Sequence, residues 1–201
     1  DRLVLFGGST SPNGLSFTPQ ADTYFLNLDT LIWRRHRGIA PEKRLFHSMA
    51  IDHSRGEIIM YGGGHEQAFF GDFYNDVWAF NLADEIWERR WDGSGIGPDS
   101  RINPVLIEDT ERERIIMFAG HDETAVGHRN DVWSFDADAG EWTELRSGDT
   151  GTGEGCNSFC SCPPDFVQVD INSPERRQYH TFTQILGEPR AILFGGKSDC
   201  G

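Results

Sequence analysis

The chain has 201 residues and a formal net charge of −14, with 37% hydrophobic and 25% charged residues. This length suffices for one ordinary domain or one large all-β domain, and no apolar run approaches the roughly 18 residues of a membrane span, which argues against membrane insertion. The acidic balance repels a phosphate backbone, so nucleic acid is excluded as an expected partner.

Short apolar runs that end in a pair of small residues are the first predicted strands. They recur four times along the chain and end on Gly7-Gly8, Gly62-Gly63, Ala119-Gly120 and Gly195-Gly196. Such runs are typical of strands that end in a sharp turn, because glycine adopts backbone angles that other residues avoid. With 23 glycines, six tryptophans and no long helical pattern, the sequence favours an all-β fold.

A second kind of predicted strand follows each of the first three runs and carries an acid two residues before an aromatic side chain. The pairs are Asp22 and Tyr24, Asp76 and Trp78, and Asp131 and Trp133. A tryptophan stands nine residues beyond each aromatic, at Trp33, Trp87 and Trp142. An arginine then opens the next strand, at Arg44, Arg101 and Arg177. The acids are 54 and 55 residues apart, so the chain is built from repeats of about that length.

This pattern resembles the kelch repeat, over essentially the whole chain. The resemblance implies a kelch-type β-propeller in which each repeat supplies one four-stranded blade. About three blades are expected, in a single region spanning 1–201 with blade junctions near 44, 101 and 177. A propeller usually closes with about 4–8 blades, and kelch propellers typically have six or seven. We therefore expect a piece of a larger ring; the alternative is that several chains close the ring together.

An insertion of about 147–173 lengthens the third repeat, and its glycine, serine and proline content is typical of a loop. It carries Cys156, Cys160 and Cys162, and strand parity places Cys200 at the same end of the propeller. Two disulfides would staple this loop and imply an extracellular or other oxidising compartment. The alternatives are a four-thiolate zinc site, which would fit the cytoplasm, or free thiols.

Polar side chains gather at the propeller end where the glycine pairs and the strand-opening arginines meet. The predicted ligand-binding residues are Arg44, His65, Glu66, Arg101, His121, Asp122, His128 and Arg177. Imidazoles beside carboxylates suit a divalent metal, for which His65 and His121 are the candidates, unless they are ordinary loop residues bonded to the backbone. The arginines could hold a carboxylate or phosphate ligand; alternatively, Arg44 and Arg177 bridge blades by pairing with acids. His47 and His180 are expected to be core histidines with satisfied nitrogens.

No nucleophile elbow, phosphate loop or metalloprotease helix motif occurs in the sequence, so no catalytic residue and no cofactor are assigned. We expect a binding module that recognises a protein or another ligand through its loops, because long loops on a rigid scaffold are where recognition usually occurs. One alternative is a secreted, metal-dependent, oxidase-like enzyme on the same fold. The other is a structural piece of a larger extracellular assembly.

Overall fold

The computed structural model describes residues 1–11, 16–67, 71–123, 127–148, 177–184 and 191–198, the last two ranges as backbone only. The regular structure in these ranges consists of β-strands. In chain order the strands are β1 (Arg2–Phe6), β2 (Ser9–Thr10), β3 (Thr18–Pro19), β4 (Thr23–Asn27), β5 (Trp33–Arg35), β6 (Ser48–Asp52), β7 (Glu57–Tyr61), β8 (Val77–Asn81), β9 (Ile86–Trp91), β10 (Arg101–Ile102), β11 (Val105–Asp109), β12 (Arg114–Asp122), β13 (His128–Asp136), β14 (Glu141–Arg146), β15 (Arg177–Gln184) and β16 (Ala191–Ser198). None of the described segments is a helix with the length and hydropathy needed to cross a bilayer.

Three antiparallel sheets follow one another along the chain. Sheet 1 has the strand order β1-β4-β5, and sheet 2 has the order β6-β7-β8-β9. Sheet 3 has the order β10-β12-β13-β14, with β11 also paired to β12. Strands β15 and β16 form a further pair, and β2 and β3 form a short one. The meander order of sheet 2 is the four-stranded arrangement that the repeats predict.

The hydrophobic core lies in layers between the sheets, because alternate residues of a strand point to opposite faces. One layer joins sheets 1 and 2 and contains Phe6, Phe25, Met60, Phe80 and Trp87. The other joins sheets 2 and 3 and contains Ile59, Tyr61, Val77, Ala79, Leu106, Ile115, Met117, Trp133, Phe135, Ala137 and Trp142. Burying one such large side chain contributes about 1.5–3 kcal/mol, so each sheet depends on its neighbours.

Sheet 1 presents a second apolar face that stays half exposed in the described part of the chain. Leu3, Leu5 and Trp33 keep 46%, 41% and 48% of their surface accessible. Trp33 occupies the repeat position of Trp87, which is 4% exposed in sheet 2. The same sequence position is therefore buried in one sheet and accessible in another.

The strand register brings one set of chain segments to a common end of sheets 2 and 3. Ser48 pairs with Tyr61, Tyr61 with Val77, and Val77 with Trp91. We call this the loop end; its described segments are 43–48, 61–67, 71–77, 91–101, 118–123 and 127–132. The opposite turn end carries the short turns between strands. Ion pairs link neighbouring sheets there, including Arg55 to Asp138 at 2.5 Å.

The small-residue pairs differ between sheets 2 and 3. Gly62 has a φ of 72°, and a β-carbon on it would lie 2.5 Å from the carbonyl oxygen of Arg101. Ala119, at the equivalent position, adopts a φ of 58°, in the left-handed region that favours glycine. The register shifts between Phe118 and Gly120, and β12 continues to Asp122, with its end paired to both β10 and β13. The third pair therefore lies within a bulged strand rather than before a loop.

Candidate binding site

Arg44 is fully buried at the loop end of sheet 2, where it joins three strands of that sheet. Its two terminal nitrogens donate to the two carboxylate oxygens of Asp76 at 2.6 and 3.0 Å, and one also donates to the carbonyl oxygen of Gly62 at 3.0 Å. Trp78 Nε1 donates to the same carboxylate at 2.6 Å. The ring of Tyr74 lies 4.1 Å from the guanidinium carbon, a distance typical of a cation–π contact.

Arg101 makes the same set of contacts in sheet 3. It donates to Asp131 at 2.6 and 2.9 Å and to the carbonyl oxygen of Ala119 at 3.0 Å, and Trp133 Nε1 donates to Asp131 at 2.8 Å. Burial alone would disfavour both charges, but the bidentate pairing outweighs it: the pKa of Asp131 is lowered and that of Arg101 is raised. We call each Arg–Asp–Trp set a bracket.

The brackets place Arg44 and Arg101 inside the sheets, since both residues are 0% exposed. Arg44 was expected, as one alternative, to pair with an acid of a neighbouring blade; it pairs with an acid of its own sheet. Arg101 makes the same kind of pair within sheet 3. A direct ligand contact by these guanidinium groups stays a prediction. In this structure the two arginines fix the strand ends at the loop end.

His65 and Glu66 lie beyond the second glycine pair, at the surface of the loop end. The backbone N–H of Gln67 donates to His65 Nδ1 at 3.4 Å, and Lys43 Nζ lies 2.9 Å from Glu66 Oε2. The hydrogen bond from Lys43 and its positive charge lower the pKa of the Glu66 carboxyl. The exposed pair therefore joins two neighbouring segments of the loop end.

His121, Asp122 and His128 lie on paired strands of sheet 3, and the register sets His121 opposite His128. Their ring centroids are 5.1 Å apart, and the ring of Phe73 from sheet 2 lies 6.1 Å from His121. Asp122 is buried and accepts a hydrogen bond from Arg129 Nε. The structure thus brings three predicted residues into one cluster, and His65 lies on the neighbouring segment.

In the part of the chain that the structure describes, no three His, Cys, Asp or Glu side chains are grouped closely enough to hold a metal ion. A metal at His65 and His121 stays a prediction. Arg177 begins β15, where its backbone pairs with Ser198. Cys156, Cys160, Cys162 and Cys200 lie outside the described residues, as does nearly all of the 147–173 insertion.

A cleft of about 390 Å³ opens at the loop end between sheets 2 and 3. It is lined by Asn75, Trp91, Gly93, Gly95, Gly97, Pro98, Asp99, Ser100 and Glu123. The linker that runs from β9 to β10 forms most of its wall. Tyr61 lies beneath this linker and donates its hydroxyl to the carbonyl oxygens of Pro98 and Asp99, at 3.1 and 2.8 Å. The cleft is therefore built on a buried, hydrogen-bonded support.

Two exposed isoleucines mark equivalent points of successive linkers. Ile39 and Ile96 are 85% and 81% exposed. Each follows a glycine and stands two residues before a proline, in Gly38-Ile39-Ala40-Pro41 and Gly95-Ile96-Gly97-Pro98. A single exposed isoleucine is ordinary, but two at one repeat position form a regular apolar feature of the surface.

Sequence reasoning missed the cleft, including Asn75, Trp91 and Asp99. It followed the glycine pairs and the strand-opening arginines, whereas the cleft is built mainly by the linker before Arg101. The recurrence of Gly-Ile-x-Pro ahead of Arg44 and Arg101 is the signal that could have directed attention to the linkers.

Comparisons with known proteins place these features in a family context. The family model described as the KLHDC2/KLHL20/DRC7 Kelch-repeats domain matches residues 1–165. Among solved structures, one titled "Structure of YjhT" aligns with a TM-score of 0.56 and 14% identity, covering 73% of this chain and 49% of that one. The chain thus spans about half the length of that neighbour. These matches confirm the all-β, kelch-type propeller fold, and the three sheets are blades or parts of blades.

Proposed function

Because the chain belongs to the kelch-repeat family, we propose that it is a protein-interaction module and that its loop end recognises the partner. The cleft carries this proposal, since it joins two blades and lies beside an isoleucine that is 81% exposed. Concave sites with a few convergent polar groups are where proteins commonly bind their ligands.

Rigidity of the supporting strands favours this role. The two brackets fix the strand ends behind the loop end, and Tyr61 fixes the linker from beneath. A surface that is already ordered loses little conformational entropy when a partner binds, so more of the contact energy appears as affinity. The turn end offers less for recognition, because acidic and basic side chains such as Arg55 and Asp138 are already paired across blades there.

The experiment that tests the proposal is selection of peptides from a random displayed library against the full chain, followed by hydrogen exchange on the complexes. We expect protection of 61–67, 91–101 and 118–123 and unchanged exchange in the turns at 52–57 and 81–86. Failure to select any specific peptide, or protection confined to the turn end, would contradict the proposal.

A matched pair of variants sharpens this test. Ile96→Ser removes an apolar side chain at the loop end, and Ile86→Ser removes one that is 56% exposed at the turn end. Loss of one interface anchor typically costs more than about 1 kcal/mol, or roughly a fivefold change in the dissociation constant. We expect that weakening for Ile96→Ser alone; equal effects of the two substitutions would remove the linker from the binding surface.

A further inference from the structure

We propose that the cleft between sheets 2 and 3 binds a cationic side chain, arginine or lysine, from an extended segment of the partner protein. This inference rests on the proposed function and names the chemistry of the partner. It concerns the pocket lined by Trp91, Asp99 and Glu123, together with the exposed Ile96 on the same linker.

The charge of the cleft gives the first argument. Its two charged lining residues, Asp99 and Glu123, are both carboxylates. Arg129 donates to Asp99 at 2.7 Å but is shared with Asp122, so this guanidinium is divided between two carboxylates. The Asp99 side chain keeps 61% of its surface exposed. The cleft therefore complements a positive group, in a chain whose formal charge is −14.

Glu123 lines this space with a second acceptor group. Its described hydrogen bonds, from the backbone N–H of Phe73 and from Ser100 Oγ at 3.4 Å, both end on Oε1. Among the described residues, Oε2 is thus left for a ligand donor. The bonds on Oε1 meanwhile hold the carboxylate in place, because Phe73 belongs to sheet 2 and Ser100 to the linker. A guanidinium or ammonium group would find a fixed acceptor here.

Trp91 contributes an aromatic wall whose orientation is fixed. Its indole nitrogen donates to the carbonyl oxygen of Ser94 at 2.8 Å, so the polar atom of the ring is already satisfied. A β-carbon on Gly97 would lie 2.5 Å from the ring, which shows how closely the linker backbone covers the indole. Asn75 Nδ2 holds the other side of the linker by donating to the carbonyl oxygen of Gly93 at 3.0 Å. An aromatic wall beside carboxylates is a favourable surrounding for a cation.

The preceding linker offers an internal comparison. A cleft of about 450 Å³ at the equivalent position is lined by Asp22, Arg35, His36 and Arg37, with Ala21, Thr23, Gly38 and Ala40. With two arginines and one aspartate in its lining, this first cleft is positively charged, whereas the second cleft is negatively charged. Both clefts have an exposed isoleucine on their linker, so the apolar contact is shared and the charge is what distinguishes them. Cation binding is therefore assigned to the second cleft alone.

The experiment is an NMR titration of the isotope-labelled full chain with N-acetyl-L-arginine methylamide, using the Trp91 indole N–H as the reporter. The neutral citrulline analogue, which is close to arginine in shape, is the matched probe. We expect a saturable shift with arginine and at least tenfold weaker binding of citrulline. Equal binding of the two probes, or shifts centred on Arg35 and Arg37, would overturn the inference.

Two substitutions complete the design. Glu123→Gln keeps an oxygen for Phe73 and removes the charge. The matched control is Glu111→Gln, which removes a charge from an exposed pair with Arg112 at the turn end, away from the cleft. We expect Glu123→Gln to weaken arginine binding by about tenfold and Glu111→Gln to leave it unchanged; an unaffected Glu123→Gln protein overturns the inference. Selected peptides that bind the loop end without any need for arginine or lysine overturn this inference only, while peptides that bind elsewhere overturn the proposed function.

Discussion

Acidification should destabilise this propeller through one half-buried histidine, His47. The residue lies just before β6, between the glycine pairs of sheets 1 and 2. A β-carbon on Gly63 would lie 3.0 Å from the His47 β-carbon, and one on Gly7 would lie 3.2 Å from Cε1. Within the described part of the chain, no group bonds to its buried Nδ1. Burial, together with the nearby charge of Arg44, lowers the pKa of His47 to about 4.

The size and sign of the effect follow from that pKa. The folded-state pKa of about 4 lies below the ordinary value of 6.5, so the unfolded chain takes up the proton first as the pH falls. The stability associated with neutral His47 is therefore complete above pH 6.5 and is lost progressively as the pH falls towards 4. By linkage, the loss at pH 5 relative to pH 8 is about 2 kcal/mol.

Urea unfolding at pH 8 and pH 5 measures this loss. The test variant is His47→Leu, which cannot ionise, and the matched control is Met49→Leu, a substitution in the same core layer without a titratable group. Relative to wild type, His47→Leu should lose about 2 kcal/mol less free energy of unfolding between the two pH values. The reasoning is refuted if all three proteins lose the same amount, or if Met49→Leu behaves like His47→Leu.

Two further predictions compare equivalent positions of different sheets. Asp131→Asn leaves the fully buried Arg101 without its counter-charge and should lower the free energy of unfolding in urea by about 3–5 kcal/mol. Asp22, whose side chain is 30% exposed, is the matched position, and Asp22→Asn should lower it by less than about 1 kcal/mol. Similar losses would contradict the bracket as a buried ion pair. Trp87→Ala should cost about 3–5 kcal/mol in thermal unfolding, and the 48% exposed Trp33 clearly less, so an equal cost would contradict the packing described.

The fold was predictable because the repeat signals are local and redundant. Two of the predicted acids, Asp22 and Asp76, directly precede an observed strand, and Asp131 lies within β13. The tryptophans nine residues beyond the aromatic side chains lie on the following strands. Local sequence could not predict the extension of β12 to Asp122. The extended end pairs with β10 on one side and with β13 on the other. The pairing with β10 joins segments some twenty residues apart, and the corresponding contact in sheet 2 is the isolated bridge from Leu45 to Gly64.

The candidate site was predicted in part. Strand parity correctly brought His121, Asp122 and His128 to one end, since parity follows from antiparallel pairing alone. Burial was harder to foresee, because Arg44 and Arg101 resemble surface residues until their acids are located 32 and 30 positions away. The expectation that His47 is a satisfied core histidine was wrong: the ring lies ahead of its strand, and its Nδ1 has no described partner.

The brackets also bear on how such a chain can lengthen or shorten over evolutionary time. Arg44 pairs with Asp76, and Arg101 pairs with Asp131, each within its own sheet, so each of these two buried guanidinium groups is encoded with its carboxylate in one contiguous stretch of gene. A tandem duplication of that stretch therefore copies a charge-balanced unit. It leaves no unpaired buried charge in the neighbouring blades. The contacts that have to change at each new junction between blades are apolar layers and surface ion pairs. These contacts tolerate substitution more readily than a buried charge does.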